Sequence, residues 1–293
     1  MSSGLESLKS VVDEKSRNSR GILEYGTSLL SKFNSGLGDD VWEVREKVFL
    51  AALDEYDLQS AERELKQIEK RFPDSIRMKK LKALLLEVKG EFKEAKQLYT
   101  TLEKEDEHDK AATKRKIAIM KTQGHVDAAR KALGEYLEVF QSDQDAWKEL
   151  ALLNVDIGNY EAASFCFEEL VLFTPTNPFY HLACAECMYT EGGARSVLDA
   201  RKYISQSLVI RPIEKGNLRA VFDLALTTHT IQKRAGDIAP VILEDEDAEE
   251  IESLNRKLNK WACDKLVGST SSMVPGLQDI VKSVVEDFRV ESK

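Results

Sequence analysis

The chain has 293 residues, of which 42% are apolar, so it is long enough to bury a large core. Its 51 acidic and 42 basic residues give a net charge of -9, which repels nucleic acid and argues against a general nucleic-acid binder. The start of the chain has no apolar signal segment, and no run approaches the roughly 18 apolar residues of a membrane-spanning helix. We therefore expect a protein that is neither secreted nor integral to a membrane.

The N-terminal part of the chain, residues 1–41, is predicted to be a helical extension. Residues 22–33 are the apolar stretch that is best placed to cover the end of a repeat array, and terminal units of such arrays require a cover of this kind.

A repeat of 34 residues governs the middle of the chain. Alanines recur at this spacing at Ala61, Ala95, Ala129 and Ala163. Glycines recur in the same register at Gly90, Gly124, Gly158 and Gly192. This is the tetratricopeptide period, in which a tight turn joins two helices and a small residue permits their close approach. The clearest copy spans residues 144–177 and agrees with the tetratricopeptide consensus at nearly every position.

Five repeats follow from this register, at about residues 42–75, 76–109, 110–143, 144–177 and 178–212. The first repeat lacks its turn glycine and has Tyr56 instead, and the fifth has an insertion after Gly192 and Gly193. The pattern predicts an all-α, right-handed solenoid of tetratricopeptide-type helical hairpins, with five to six repeats and helical additions at both ends.

Beyond the repeats the register weakens. Residues 213–267 are predicted to form an irregular sixth hairpin with an acidic, solvated loop at 243–250. Residues 268–293 are predicted to form an amphipathic tail, with a helix over 274–288 that has Pro275 near its start and that caps the array or docks on a partner.

The chain has no strong sequence motif for catalysis, metal binding or phosphate binding. Cys184 and Cys187 have the spacing of a zinc or redox pair, but a four-ligand site needs a second pair that the chain lacks, so we expect both to pack as small apolar residues. The four histidines are scattered, and the glycine pair Gly192 and Gly193 lacks phosphate-loop spacing. We therefore expect no catalytic activity, no metal and no cofactor.

Basic residues recur at the positions of the first helix of each hairpin that line the concave groove of such arrays. They are Arg77, Lys80, Lys114, Lys121 and Lys148. They are either solvated lysines on exposed faces or a groove for an acidic or carboxylate-bearing peptide. The clamp by which chaperone-docking repeats hold chaperone tails also needs two asparagines. Here the clamp lysine is present as Lys114, but Ala118 and Glu149 stand at the two asparagine positions, so the clamp is absent.

Several strings are more specific than the repeat: Asp40-Val41-Trp42-Glu43, Lys114-Arg115-Lys116-Ile117-Ala118-Ile119, Asp143-Gln144-Asp145-Ala146-Trp147-Lys148-Glu149-Leu150, Phe165-Cys166-Phe167-Glu168-Glu169-Leu170, Tyr189-Thr190-Glu191-Gly192-Gly193 and Ala200-Arg201-Lys202-Tyr203. In order and spacing they resemble the family of subunit 2 of the endoplasmic reticulum membrane protein complex, over about residues 40–222.

The resemblance implies a scaffold subunit of a membrane insertase for tail-anchored and multi-spanning proteins. It implies a peripheral location on the cytosolic face of the endoplasmic reticulum, with membrane-embedded and soluble subunits of the same complex as partners and the membrane contacted only through them. The matched residues expected at a partner surface are Lys114, Arg115 and Lys116, beside the basic positions named above. The alternative is a free-standing adaptor or co-chaperone that binds acidic peptide tails in a basic groove.

Overall fold

The computed structural model describes residues 18–33, 37–106, 109–242, 248–270 and 275–290. These residues form fifteen α-helices, one short 3-10 turn and no β-strand. The chain divides into two compact units, Met1–Ala129 and Arg130–Lys293. The predicted all-α class and its tetratricopeptide-type hairpins are confirmed, while the division into four segments at residues 41, 212 and 267 stays a prediction.

The helices of the first unit are α1 (Ser19–Phe33), α2 (Asp40–Asp54), α3 (Leu58–Arg71), α4 (Ile76–Lys89), α5 (Phe92–Glu105) and α6 (Lys110–Thr122). The boundary between the units lies within α7 (Val126–Val139). The second unit continues with α8 (Gln144–Asp156), α9 (Tyr160–Phe173), α10 (Pro178–Glu191), α11 (Ala194–Ile210), α12 (Leu218–Lys233), α13 (Ala235–Ile242), α14 (Ala248–Ser269) and α15 (Pro275–Phe288).

The turn inside each of the first four hairpins has a left-handed residue, as the glycine register predicts. Gly90, Gly124 and Gly158 have φ angles of 79°, 76° and 75°. Tyr56 takes the same region, with φ 58°, in the hairpin that lacks the glycine. There the next residue, Asp57, donates its N–H to Ala52 O at 2.9 Å, which satisfies a carbonyl that the helix end leaves open.

The inserted fifth turn is built differently. Gly192 also has a positive φ, 81°, but α10 ends with Gly192 N donating to Met188 O at 3.3 Å, and Gly193 then begins α11 in an extended conformation. The extra residues thus lie at the turn and the start of α11, where they do not interrupt a helix.

Short polar side chains fix where several helices begin. Asp57 Oδ1 accepts the N–H of Ser60 at 3.1 Å, and Asp143 Oδ1 accepts that of Ala146 at 3.1 Å. These bonds satisfy backbone donors that have no partner inside the helix, and each such cap stabilises its helix by about 1 kcal/mol. Caps therefore determine the starts of α3 and α8.

The repeat alanines are fully buried. Ala61, Ala95, Ala129 and Ala163 each have 0% exposure. In the first unit Ala61 packs in a cluster with Phe49 and Leu81, which brings α3 against α2 and α4. A longer side chain at such a position would overpack the hairpin at a cost of about 1–3 kcal/mol.

The predicted N-terminal cover is a helix that packs closely on α2. Leu30 shares a core cluster with Val41, Val44 and Val48. A Cβ atom added at Gly26 would lie 2.3 Å from Val48 Cγ2, so only glycine permits this approach without movement. The apolar stretch is thus the start of the first unit's core.

The end of the second unit is held by buried polar groups that the repeat pattern does not indicate. Arg201 on α11 donates to Asn255 Oδ1 on α14 at 3.1 Å, and Asn255 donates to Thr228 O on α12 at 2.9 Å. One turn further along α14, Asn259 donates to Phe288 O at 3.0 Å and accepts from Val290 N at 3.0 Å. These groups fasten α14 and the end of α15 to the preceding hairpin.

Part of the region predicted to be an acidic loop is helical. Residues 243–247 lie outside the described part of the chain, but residues 248–250 already belong to α14. Glu249 and Glu250 stand in its first turn, where negative charge is favourable next to the positive end of the helix dipole. None of the helices in the described ranges is both long enough and apolar enough to cross a membrane.

Candidate protein-binding surfaces

A concave cavity lies between the first helices of two successive hairpins in the first unit. It has a volume of about 530 Å³. Its apolar wall consists of Trp42, Leu50, Ile68, Phe72, Met78 and Leu81. Trp42 and Phe72 stand edge to face with their ring centroids 5.3 Å apart, and Leu50 and Phe72 are each 37% exposed. We call this the α2–α4 cavity.

Charged side chains at this cavity are paired with one another. Lys47 Nζ lies 2.7 Å from Glu43 Oε1, and Arg77 Nε lies 2.6 Å from Glu46 Oε2. The lining therefore has two acidic and two basic residues, and it offers apolar and aromatic contact area with little net field. The sequence does not single out Leu50 or Phe72, because apolar residues at helical spacing are equally typical of a core.

The basic residues predicted to line the groove are engaged by carboxylates in the first unit. Lys80 Nζ on α4 lies 2.8 Å from Asp109 Oδ2, at the start of α6. Arg115 on α6 reaches back to Glu87 on α4 at 3.6 Å. Together these pairs join α4 to α6. Lys80 and Arg115, which were predicted to bind a partner, therefore also stabilise the packing of neighbouring hairpins.

Lys116 points to a different side of α6. Its Nζ lies 2.6 Å from Glu103 Oε2 on α5, the second helix of the preceding hairpin. Lys114 is half-buried and Lys121 is exposed, both on α6, while Lys148 is exposed on α8 of the second unit. The structure thus brings Arg77 and Lys80 together on α4 and places the other first-unit positions on α6.

The surroundings of Asp109 favour its ionised form. Burial alone would raise the pKa of Asp109, but the Lys80 ammonium and the N–H groups of Ala112 and Ala111 together lower it below its ordinary 3.8. Tyr99 donates a hydrogen bond to Glu87, and burial with this neighbouring carboxylate raises the pKa of Tyr99. Glu87 thus lies between the Tyr99 phenol, which donates to it, and the Arg115 guanidinium.

The cysteine pair is part of the core. Cys184 and Cys187 are buried in a cluster with Ala151, Phe167 and Leu170. The Cys184 thiol lies 3.7 Å from Ser164 O, and burial raises the pKa of Cys187 to about 11. Thiols with such pKa values are protonated at neutral pH and are poor nucleophiles and ligands. Within the described ranges no cluster of three or more His, Cys, Asp or Glu is arranged to hold a metal ion.

Comparison with known proteins gives consistent relatives. Residues 70–199 match the family model described as the EMC2 TPR-like repeat domain. The chain is 40% identical over 223 residues to ER membrane protein complex subunit 2-A of Xenopus laevis, which covers 76% of this chain and 74% of that protein. It is 28% identical over 216 residues to ER membrane protein complex subunit 2 of Dictyostelium discoideum, which covers 73% of this chain and 67% of that protein.

A solved structure supports the fold alone. The C-terminal part of a TPR repeat-containing protein from Cytophaga hutchinsonii superposes with a TM-score of 0.55 at 14% identity, covering 85% of this chain and 95% of that one. At this identity the likeness shows shared helical-repeat architecture.

Proposed function

The chain belongs to the family of ER membrane protein complex subunit 2, and on that premise we propose that it is a scaffold subunit of this complex that holds other subunits through the surfaces of its helical repeats. The observation that carries the proposal is 40% identity over 223 residues, spanning 74% of the relative's length. Helical repeats of this kind present concave protein-binding surfaces.

The complex is proposed to act as an insertase for tail-anchored and multi-spanning membrane proteins, with this subunit on the cytosolic face of the endoplasmic reticulum. The partners are its membrane-embedded and soluble fellow subunits, which supply the contact with the membrane. The proposed role of this subunit is to bind other proteins, which requires neither catalysis nor a cofactor. In support, the buried thiols and the carboxylate-paired basic residues serve packing.

Contacts with fellow subunits are proposed at the basic residues Arg77, Lys80, Lys114, Arg115, Lys116, Lys121 and Lys148. At four of them, Arg77, Lys80, Arg115 and Lys116, a partner carboxylate must compete with an existing one. Among these four, Arg77 and Arg115 are the most exposed, at 72% and 53%, and each can turn to a partner without leaving a fully buried charge. The alternative of a free-standing adaptor for acidic tails has less support, since four of these seven residues already have carboxylate partners.

Depletion with rescue tests the function. Removing the chain from its own cells should lower insertion of a tail-anchored reporter, and re-expressing the wild type should restore it. A secreted reporter, whose translocation needs no insertase for its tail, should be unaffected. Unchanged insertion after complete depletion would contradict the proposal.

Rescue with variants tests the contacts. The double variant Arg77→Ala and Arg115→Ala should restore less insertion than the wild type. Arg20→Ala is the matched control, because Arg20 is 81% exposed and its ion pair with Glu24 lies on the surface of α1. If the double variant and the control rescue equally, partner contacts lie elsewhere on the chain.

A further inference from the structure

A second cavity lies within the second unit, between α10 and α12, the first helices of the last two hairpins. Its volume is about 280 Å³. Its walls include Tyr189 of α10, Ile204 of α11 and Leu226 of α12, and its charged groups are Glu186, Arg219 and Asp223. Its lining thus has two acidic residues and one basic residue beside the apolar walls, whereas the lining of the α2–α4 cavity has two of each.

The only basic residue in this lining, Arg219, already pairs with a carboxylate. Arg219 pairs with Glu186: a terminal nitrogen of its guanidinium donates a hydrogen bond to Oε2 at 2.7 Å, and its Nε lies 2.5 Å from Oε1, which is buried and accepts no hydrogen bond from the described residues. A hydrogen bond between a guanidinium and a carboxylate is stronger than one between neutral groups. Glu186 and Arg219 therefore neutralise each other, and the lining has a net charge of -1 when Asp223 is ionised.

Asp223 has no comparable partner. Its Oδ2 is buried and accepts no hydrogen bond from the described residues. Burial, and then the nearby Glu186 carboxylate, raise the pKa of Asp223 to about 7, against the smaller opposing effect of Arg219. The remaining titratable group in the lining is the Tyr189 phenol, which is engaged with Thr230 Oγ1 at 3.0 Å.

We propose that the cavity between α10 and α12 receives a cationic side chain, the ammonium of a lysine or the guanidinium of an arginine, from a fellow subunit. This rests on the proposed scaffold function and names the chemistry of one contact. The cation would lie against Asp223 and Glu186, and its aliphatic stem against Tyr189, Ile204 and Leu226. Long basic side chains bury their stems in this manner while the charged end finds its partner.

Charge complementarity favours this occupant over the others. An anion would bring a third negative charge beside two carboxylates. An apolar side chain would fill the volume but leave Asp223 buried without a counter-ion, which is costly. A cation alone supplies both the missing charge and the missing donor.

Capped amino acids on the purified full-length chain test the proposal directly. The probes are the Nα-acetyl-N-methylamides of lysine and of arginine, with that of norleucine as the control that has a stem and no charge. Binding is followed by NMR of 13C-labelled aspartate. We expect the lysine or the arginine probe to shift the Asp223 carboxyl signal saturably and to lower its pKa, and the norleucine probe to do neither.

The affinity should also depend on pH. The cation binds the ionised form of the Asp223 carboxyl group. The fraction in this form rises about tenfold from pH 6 to pH 8, so the affinity should rise by about the same factor. Asp223→Asn should weaken binding at least tenfold and abolish this pH dependence. Asp279→Asn, at an exposed carboxylate on α15, is the matched control and should leave binding unchanged.

Three results would overturn the proposal: no saturable shift with either cationic probe, an Asp223 pKa that stays at about 7 at saturation, or equal binding by wild type and Asp223→Asn. The probe experiment on the wild type does not depend on how the variant folds. It is also independent of complex assembly: a chain that assembles with its subunits but binds neither probe keeps the scaffold function and loses this contact.

Discussion

At the scale of the residue, the most informative position is the left-handed turn that joins the two helices of a hairpin. Three successive hairpins have glycine there, and the first has Tyr56 in the same conformation. A side chain with a Cβ atom in this region costs about 1–2 kcal/mol. Because Tyr56 is 78% exposed, it loses little packing when removed. The first hairpin therefore contains strain that the others avoid.

Replacing this tyrosine should stabilise the protein. Tyr56→Gly removes the steric cost of the left-handed residue and is expected to raise the free energy of unfolding of the first unit by about 1 kcal/mol. Tyr56→Ala, which keeps a Cβ atom and the strain, is the control and should give no such gain. Urea unfolding of the two variants beside the wild type measures the difference, and equal stability of the Gly and Ala variants would show that the left-handed turn does not strain the first hairpin.

At the scale of the element, single polar residues decide where helices begin and how they are fastened. Asp109 is an example, because its Oδ1 accepts the N–H groups of Ala111 and Ala112 at 3.1 and 3.4 Å while its Oδ2 faces Lys80. One carboxylate thus starts α6 and joins it to α4.

Acid should weaken this junction. The pKa of Asp109 is lower in the folded protein than in the unfolded chain, so its stabilisation is complete above the unfolded value near 4 and is lost as the pH falls through the folded value. Asp109→Asn keeps an oxygen for the cap and removes the charge. Thermal unfolding from about pH 5 to about pH 2 should therefore cost the wild type more stability than the variant. Parallel pH curves for the two proteins would show that the ion pair contributes nothing.

The fastening of the C-terminal helix depends on Asn259. Its side chain holds Phe288 O, Thr228 Oγ1 and Val290 N while it is 1% exposed. Asn259→Ala leaves these groups without partners at a cost of about 1–3 kcal/mol. Hydrogen exchange of residues 284–290 should accelerate, whereas Ser283→Ala, at an exposed position, should not alter it. Unchanged protection in Asn259→Ala would mean that apolar packing alone holds α15.

At the scale of the whole molecule, the repeat made the hairpins predictable, and the long-range polar contacts were not. Buried alanines and left-handed glycines recur at a fixed spacing because every hairpin solves the same packing problem, so Ala61 and Gly90 could be placed from the pattern. The bonds of Arg201 and Asn255 join residues that are 54 positions apart, and no local signal links them. The periodicity also located the basic residues but not their partners. Asp109 and Glu87 are two of many acidic residues in the chain, and the repeat pattern does not distinguish them from the others.

Stoichiometric purification tests whether the chain belongs to a membrane complex. The tagged chain is recovered from detergent-solubilised membranes, and the proteins that elute with it are quantified by mass spectrometry. We expect a fixed set of membrane-spanning and soluble subunits in constant ratio to the chain. Recovery of the chain alone, or with chaperones in variable amounts, would contradict it.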